Sequence, residues 1–155
     1  MLQDIIINNS TELYRITTDE FVYAIAGGNY TDIYLNCLFP DKCVARKAHD
    51  DDSNTYNDSK RFVTVSMQLG KLEKLITEQV PREQSTLARV GNSYIVNLDY
   101  VFYVKPAKQQ LVLRDWSGHF YPLNKVPVEV LKKLKAAISM RANINKDNTQ
   151  EGVEA

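Results

Sequence analysis

Arg89-Val90-Gly91-Asn92-Ser93-Tyr94-Ile95-Val96-Asn97 is the stretch that decides how this chain reads. Residues 87–90 and 94–96 are two short runs rich in apolar and β-branched side chains. Between them lies a polar segment with one glycine. That order is strand, turn, strand. Tyr94 and Val96 alternate with Ile95, so they face a core rather than a ligand. Asn97, at the end of the second run, suits a residue that caps or braces a turn.

The same rhythm extends in both directions. Upstream, residues 5–7 and 13–16 flank Asn8-Asn9-Ser10-Thr11, two strands and a turn. Residues 20–26 (EFVYAIA) form a stronger strand, and Gly27-Gly28-Asn29 supplies the positive φ of a tight turn. Residues 31–37 (TDIYLNC) return, completing a hairpin. Residues 42–48 suggest a strand leading into an acidic segment, 49–59, which has nothing to bury and is expected to be a flexible loop. Residues 61–65 are again strand-like. Ser66 is the expected N-cap of a helix carrying Leu69, Leu72, Leu75 and Ile76 at helical spacing, with Pro81 ending that unit.

Downstream, residues 100–104, 110–114 and 119–123 read as strands, with turns at Pro106-Ala107-Lys108 and Asp115-Trp116-Ser117-Gly118. Pro127 suits the first turn of a last helix with Val130, Leu131, Leu134 and Ile138 apolar. Lys132, Lys133 and Lys135 are expected in its later turns, where the helix dipole favours cations. The expectation is a mainly β domain, α+β by content, spanning residues 1–140. It has one mid-chain helix, one C-terminal helix and a polar, disordered tail over 141–155.

The chain has 155 residues, 44% hydrophobic and 25% charged, enough for one buried core. Nine tyrosines against one tryptophan tilt it further toward strands. No apolar run is long enough to span a bilayer and no secretory signal opens the chain, so a cytoplasmic protein is expected, with no membrane partner. Cys37 and Cys43 then read as reduced thiols. Formal net charge is zero but unevenly spread. Residues 1–59 carry 4 basic and 10 acidic side chains, residues 60–146 carry 15 and 6, and residues 147–155 add 3 acids. A middle region of net +9 is what a polyanion-facing surface requires, although solvated faces alone can cluster charge in this way.

Catalytic chemistry finds no foothold. The two histidines, His49 and His119, have no Cys or His partner at metal-site spacing. Asp50-Asp51-Asp52 lacks the alternating ligands and glycine of a calcium loop. No glycine-rich phosphate loop and no nucleophile elbow is present. No enzyme, metal or cofactor is expected. Nucleic acid is better served. Lys60, Arg61, Arg82, Arg89, Asn92, Lys105, Lys108, Asn124 and Lys125 fall at turns and strand ends. Lys and Arg neutralise phosphates, and Asn, Arg and Lys read base edges in the major groove. No basic helix offers itself, so loops would have to do the reading.

In order, four segments carry a resemblance. Residues 20–31 match a "D-I-x-Y-I-x-A-x-x-N-Y" strand and turn. Leu69, Leu72, Glu73 and Leu75 match an "L-x-x-L-E-x-x-L" helix. Residues 89–97 match "R-x-H-R/N-S-Y-I-V-N", and residues 121–126 match a "P-V-S-R" segment. With them, residues 3–138 resemble the LytTR family of bacterial DNA-binding domains, the usual output half of two-component response regulators. The resemblance implies an elongated multi-stranded β fold that lays loops into successive major grooves. It implies a sequence-specific transcription regulator of double-stranded DNA, with two repeat sites and a homodimer on DNA. Thr31, Asn92 and Lys125 would face bases. Arg89 and Ser93 would position backbone contacts or support the loop; Asn124 and Lys105, donors at turns and strand ends, are counted with them as candidate contacts.

The chain also departs from the pattern. Gly91 stands where His is common, Asn124-Lys125 replaces Ser-Arg, and Asp32 puts a carboxylate beside Thr31. No receiver domain precedes the match, which implies a stand-alone regulator or one signalled through a separate protein. The alternative is a protein-interaction module on the same scaffold with weakened or lost DNA binding, favoured by net neutrality, Asp32, the acidic loop and the acidic tail.

Overall fold

The structure, a computed structural model, describes residues 3–36 and 61–153. The acidic segment 49–59, Lys60, His49, both cysteines and the strand expected at 42–48 lie outside the described residues. Among the described residues, ten strands and two helices follow one another. They are β1 (Asp4–Asn8), β2 (Leu13–Thr17), β3 (Phe21–Ala26), β4 (Thr31–Leu35), β5 (Arg61–Val65), α1 (Leu69–Gln79), β6 (Leu87–Val90), β7 (Tyr94–Asn97), β8 (Val101–Lys105), β9 (Gln110–Arg114), β10 (Phe120–Leu123) and α2 (Val128–Val153). The fold is mainly β, as the residue pattern predicts, and every strand pair is antiparallel.

The strands make three sheets: β1-β2, a central β5-β4-β3-β7-β6, and β10-β9-β8. Asn9 closes the first hairpin. Its Oδ1 accepts the backbone N–H groups of Thr11 and Glu12, both at 2.9 Å, as short polar side chains do in turns. The central sheet is covered on both faces. On one, β1-β2 and α1 bury Ile5, Ile7, Ile16, Phe21, Ile33, Leu72 and Ile76. On the other, the three-stranded sheet and α2 bury Val22, Val96, Leu111, Leu113, Tyr121 and Leu131. Phe21, Val22, Tyr23 and Ala24 are therefore all buried, which is why β3 reads as a continuous apolar run. A register shift between Phe21 and Tyr23 marks a bulge in that strand.

Tyrosine abundance has its explanation in the second core. The rings of Tyr23 and Tyr34 stack 4.7 Å apart with planes 1° from parallel. Tyr121 meets both edge-on, at 5.6 and 6.0 Å. Such pairs are worth about 0.5–1.5 kcal/mol each beyond the area they bury. Burial, then the neighbouring Tyr34 and Tyr94, pushes the Tyr23 phenol pKa far above its ordinary value. The outer face of the three-stranded sheet leaves Phe102 and Phe120 exposed, with the Arg114 guanidinium over both rings.

One end of the molecule is tied by hydrogen bonds between layers. Asn36 donates to the Asp19 carbonyl at 2.6 Å and accepts from the Trp116 N–H at 2.9 Å. Asn97, 1% exposed, donates to the carbonyls of Thr18 and Phe21 and accepts from the Asp99 N–H, so it braces, as its position predicts. Tyr121 donates to the buried Asp115 carboxylate at 2.7 Å. The turns β3–β4, β6–β7 and β8–β9 lie at the opposite end.

Two expectations change. Ser66 is not the N-cap: α1 begins at Leu69 after Gln68, with no side-chain cap. The intervening Met67 is buried and its carbonyl is engaged by Thr31, which holds residues 66–68 out of helical geometry. The last helix, α2, runs from Val128 to Val153. Lys132, Lys133 and Lys135 are then mid-helix, and the dipole argument for them lapses. Among the described residues, no helix is long and apolar enough to cross a membrane.

Candidate nucleic-acid interface

Three connections come together at the turn end. The β6–β7 turn is Gly91-Asn92-Ser93, with Gly91 at φ 62°. A Cβ on Gly91 would lie 3.4 Å from Cδ of Pro127, so the turn abuts the junction between β10 and α2. That junction, Asn124-Lys125-Val126-Pro127, is tied in turn to the β8–β9 connection. Val126 N–H donates to the Gln109 carbonyl at 3.0 Å, and Gln110 Nε2 donates to Asn124 Oδ1 at 3.2 Å. The β3–β4 turn adjoins from the other side, because Ala26 N–H donates to the Ser93 carbonyl at 2.9 Å.

These contacts gather most of the residues expected to bind DNA. Asn92 and Ser93 are exposed at the apex of their turn, and Asn124 and Lys125 are exposed beside it. Lys105 is half-buried at the start of a single 3₁₀ turn, Pro106–Lys108, and Lys108 is exposed. Residues 27–30, 91–93, 105–110 and 124–127 hold Lys105, Lys108 and Lys125 and no acidic residue. The result is a polar, cationic rim made of backbone turns. Turns suit this work, since their tips carry donors while the sheets behind stay fixed.

Two non-glycine residues in the rim adopt the left-handed region, Gln109 at φ 52° and Lys125 at φ 62°. Each costs roughly 1 kcal/mol. The Val126–Gln109 hydrogen bond links the two segments that bear them. Strain of this kind persists only where the surroundings over-determine it, and here it aims Lys125 outward.

Thr31 is the correction. It is fully buried, and its hydroxyl donates to the Met67 carbonyl at 2.7 Å. It shares a face of β4 with Ile33 and Leu35, also buried, and so cannot meet a base. Asp32 points the other way, where its Oδ1 accepts the Thr64 hydroxyl at 2.6 Å. Arg89 supports the turn. Its Nε and Nη2 donate to the carbonyls of Gly91 and Asn92 at 3.1 and 3.2 Å, and its Nη1 meets Glu73 of α1 at 2.6 Å. Each nitrogen of the fork has a partner inside the protein. Gly91 also explains the missing histidine. At φ 62° an L side chain is strained, whatever the space around it.

Asn29 was not among the expected contacts. It is exposed in the β3–β4 turn, beside Gly28 at φ 82°. The Gly27-Gly28-Asn29 sequence carried the signal, since a turn apex presents its polar residue outward. Among the described residues, no group of three or more His, Cys, Asp or Glu could hold a metal.

Neither a family model nor a curated protein matches the chain. A solved LytTr DNA-binding domain from Bacillus cereus is similar to it. The two are 14% identical with a TM-score of 0.45, covering 85% of this chain and 95% of that one.

Proposed function

We propose that this protein is a sequence-specific transcription regulator that grips double-stranded DNA with the rim of turns described above. One observation carries the reading: three connections bearing Lys105, Lys108 and Lys125, with Asn92 and Asn124 among them, meet at one end with no carboxylate in any of them. The motif order around residues 89–97 supports it. The lysines supply salt-sensitive phosphate contacts and the asparagines the hydrogen bonds that distinguish bases. Loops reading successive major grooves suit two repeats and two copies of the chain, with the signal arriving from a separate protein in the cytoplasm.

The alternative, a protein-interaction module without DNA binding, drew on Asp32. That carboxylate accepts a hydrogen bond from Thr64 and is half-buried, which weakens the case. Selection of bound duplexes from a random pool tests the proposal. A recurring motif whose affinity falls steeply with salt is expected. Recovery of unenriched sequence at low salt contradicts it.

A further inference from the structure

Behind the rim, on the other face of the central sheet, α1 and β6 leave a cleft between them of about 560 Å3. Small-molecule sites fall at about 300–1,000 Å3. Ile76 and Val80 from the helix side and Leu87 from the strand give the cleft its apolar lining, with Thr77 and Ser85 as polar neighbours. Its charged lining residues are Glu73, Arg82 and Arg89, a net charge of +1. Arg82 is exposed, and Glu73 and Arg89 are paired with each other. An apolar strip beside a cationic excess suits an apolar body ending in an anion.

We propose that this cleft binds a small amphipathic carboxylate, its apolar part against Ile76, Val80 and Leu87 and its head group on Arg82 and Arg89. The position has a consequence. Arg89 holds Glu73 with one nitrogen and the carbonyls of Gly91 and Asn92 with the others. A ligand carboxylate competes with Glu73 for that guanidinium and so acts on the turn that presents Asn92. The cleft is thereby an input site for the rim. The effect on DNA rests on the function proposed above; binding in the cleft does not.

The test uses the full 15N-labelled chain, with octanoate and 4-phenylbutyrate as probes and their primary amides as neutral controls. Expected are saturable amide shifts at Thr77, Leu87 and Ala88, extending to Asn92 and Ser93. Each acid that binds should do so at least tenfold more tightly than its amide. Arg82→Gln, at an exposed position, should abolish that preference, and Thr77→Phe, on the helix wall of the cleft, should fill it and abolish binding. No saturable shift with either acid, or equal affinity for acid and amide, overturns the proposal even if DNA is still bound. Shifts as expected in a protein that binds no DNA would leave the cleft site standing and overturn only the proposed function.

Discussion

Gly91 faces Pro127 across the turn end: a Cβ added to the glycine would lie 3.4 Å from the proline Cδ. This one approach joins the β6–β7 turn to the head of α2 and brings Asn92 and Lys125 onto the same rim. Gly91 also sits at φ 62°, where an L side chain is strained. Gly91→Ala should therefore cost about 1–2 kcal/mol of stability in urea denaturation and weaken DNA binding with it. An unchanged midpoint would show that the approach does not constrain the turn.

Lys125 allows stability and function to be separated. Lys125→Gly relieves a left-handed conformation but loosens the unfolded chain, so stability should stay within about 1 kcal/mol of wild type. DNA affinity should fall, and the slope of log affinity against log salt should lessen by about 1. A variant that keeps its salt slope would remove Lys125 from the interface.

Thr31 and Asn92 should behave oppositely. Thr31→Val leaves the buried Met67 carbonyl without its partner, costing about 1–3 kcal/mol of stability without altering which duplex is preferred. Asn92→Ala should leave stability within about 0.5 kcal/mol while reducing discrimination between duplexes by about 1–3 kcal/mol. If Thr31→Val changed base preference in a stably folded protein, the buried placement of Thr31 would be refuted.

Alkaline pH should unfold the protein sooner than its acids and bases alone suggest. Burial raises the phenol pKa of Tyr23 most strongly, pushes Tyr100 up to about 12, and raises Tyr94. These phenols stay neutral in the fold after they would ionise in the unfolded chain. Their contribution is fully present below the ordinary phenol value of about 10 and is lost as pH rises above it. Denaturation midpoints measured from pH 8 to 11 should drop beyond about pH 10. In Tyr23→Phe the drop should be shallower, and an equally steep loss would exclude Tyr23 as a cause.

Much of this fold is legible in the residue pattern because antiparallel strands store their burial locally. The alternation in β4 is an example. Thr31, Ile33 and Leu35 share a face, so period two already places Thr31 inward, against its expected role at a base. Other features depend on distant chain. The Arg89–Glu73 pair needs α1 laid beside β6, a contact 16 residues apart that no spacing announces. The start of α1 was displaced from Ser66 by Met67 docking on β4. The site was legible as a set of residue types at turns. Their convergence was not, because it rests on Gly91–Pro127 and Gln109–Val126, approaches between segments that are far apart in sequence.

The most direct test of the interface is backbone amide chemical-shift mapping of the 15N-labelled protein with a duplex taken from the selection. Shifts should concentrate in residues 27–30, 91–93, 105–110 and 124–127, with the β1–β2 hairpin silent. Shifts centred on β1–β2 or on the exposed Phe102 and Phe120 face, with these four turns unmoved, would contradict the central claim that the rim of turns holds DNA.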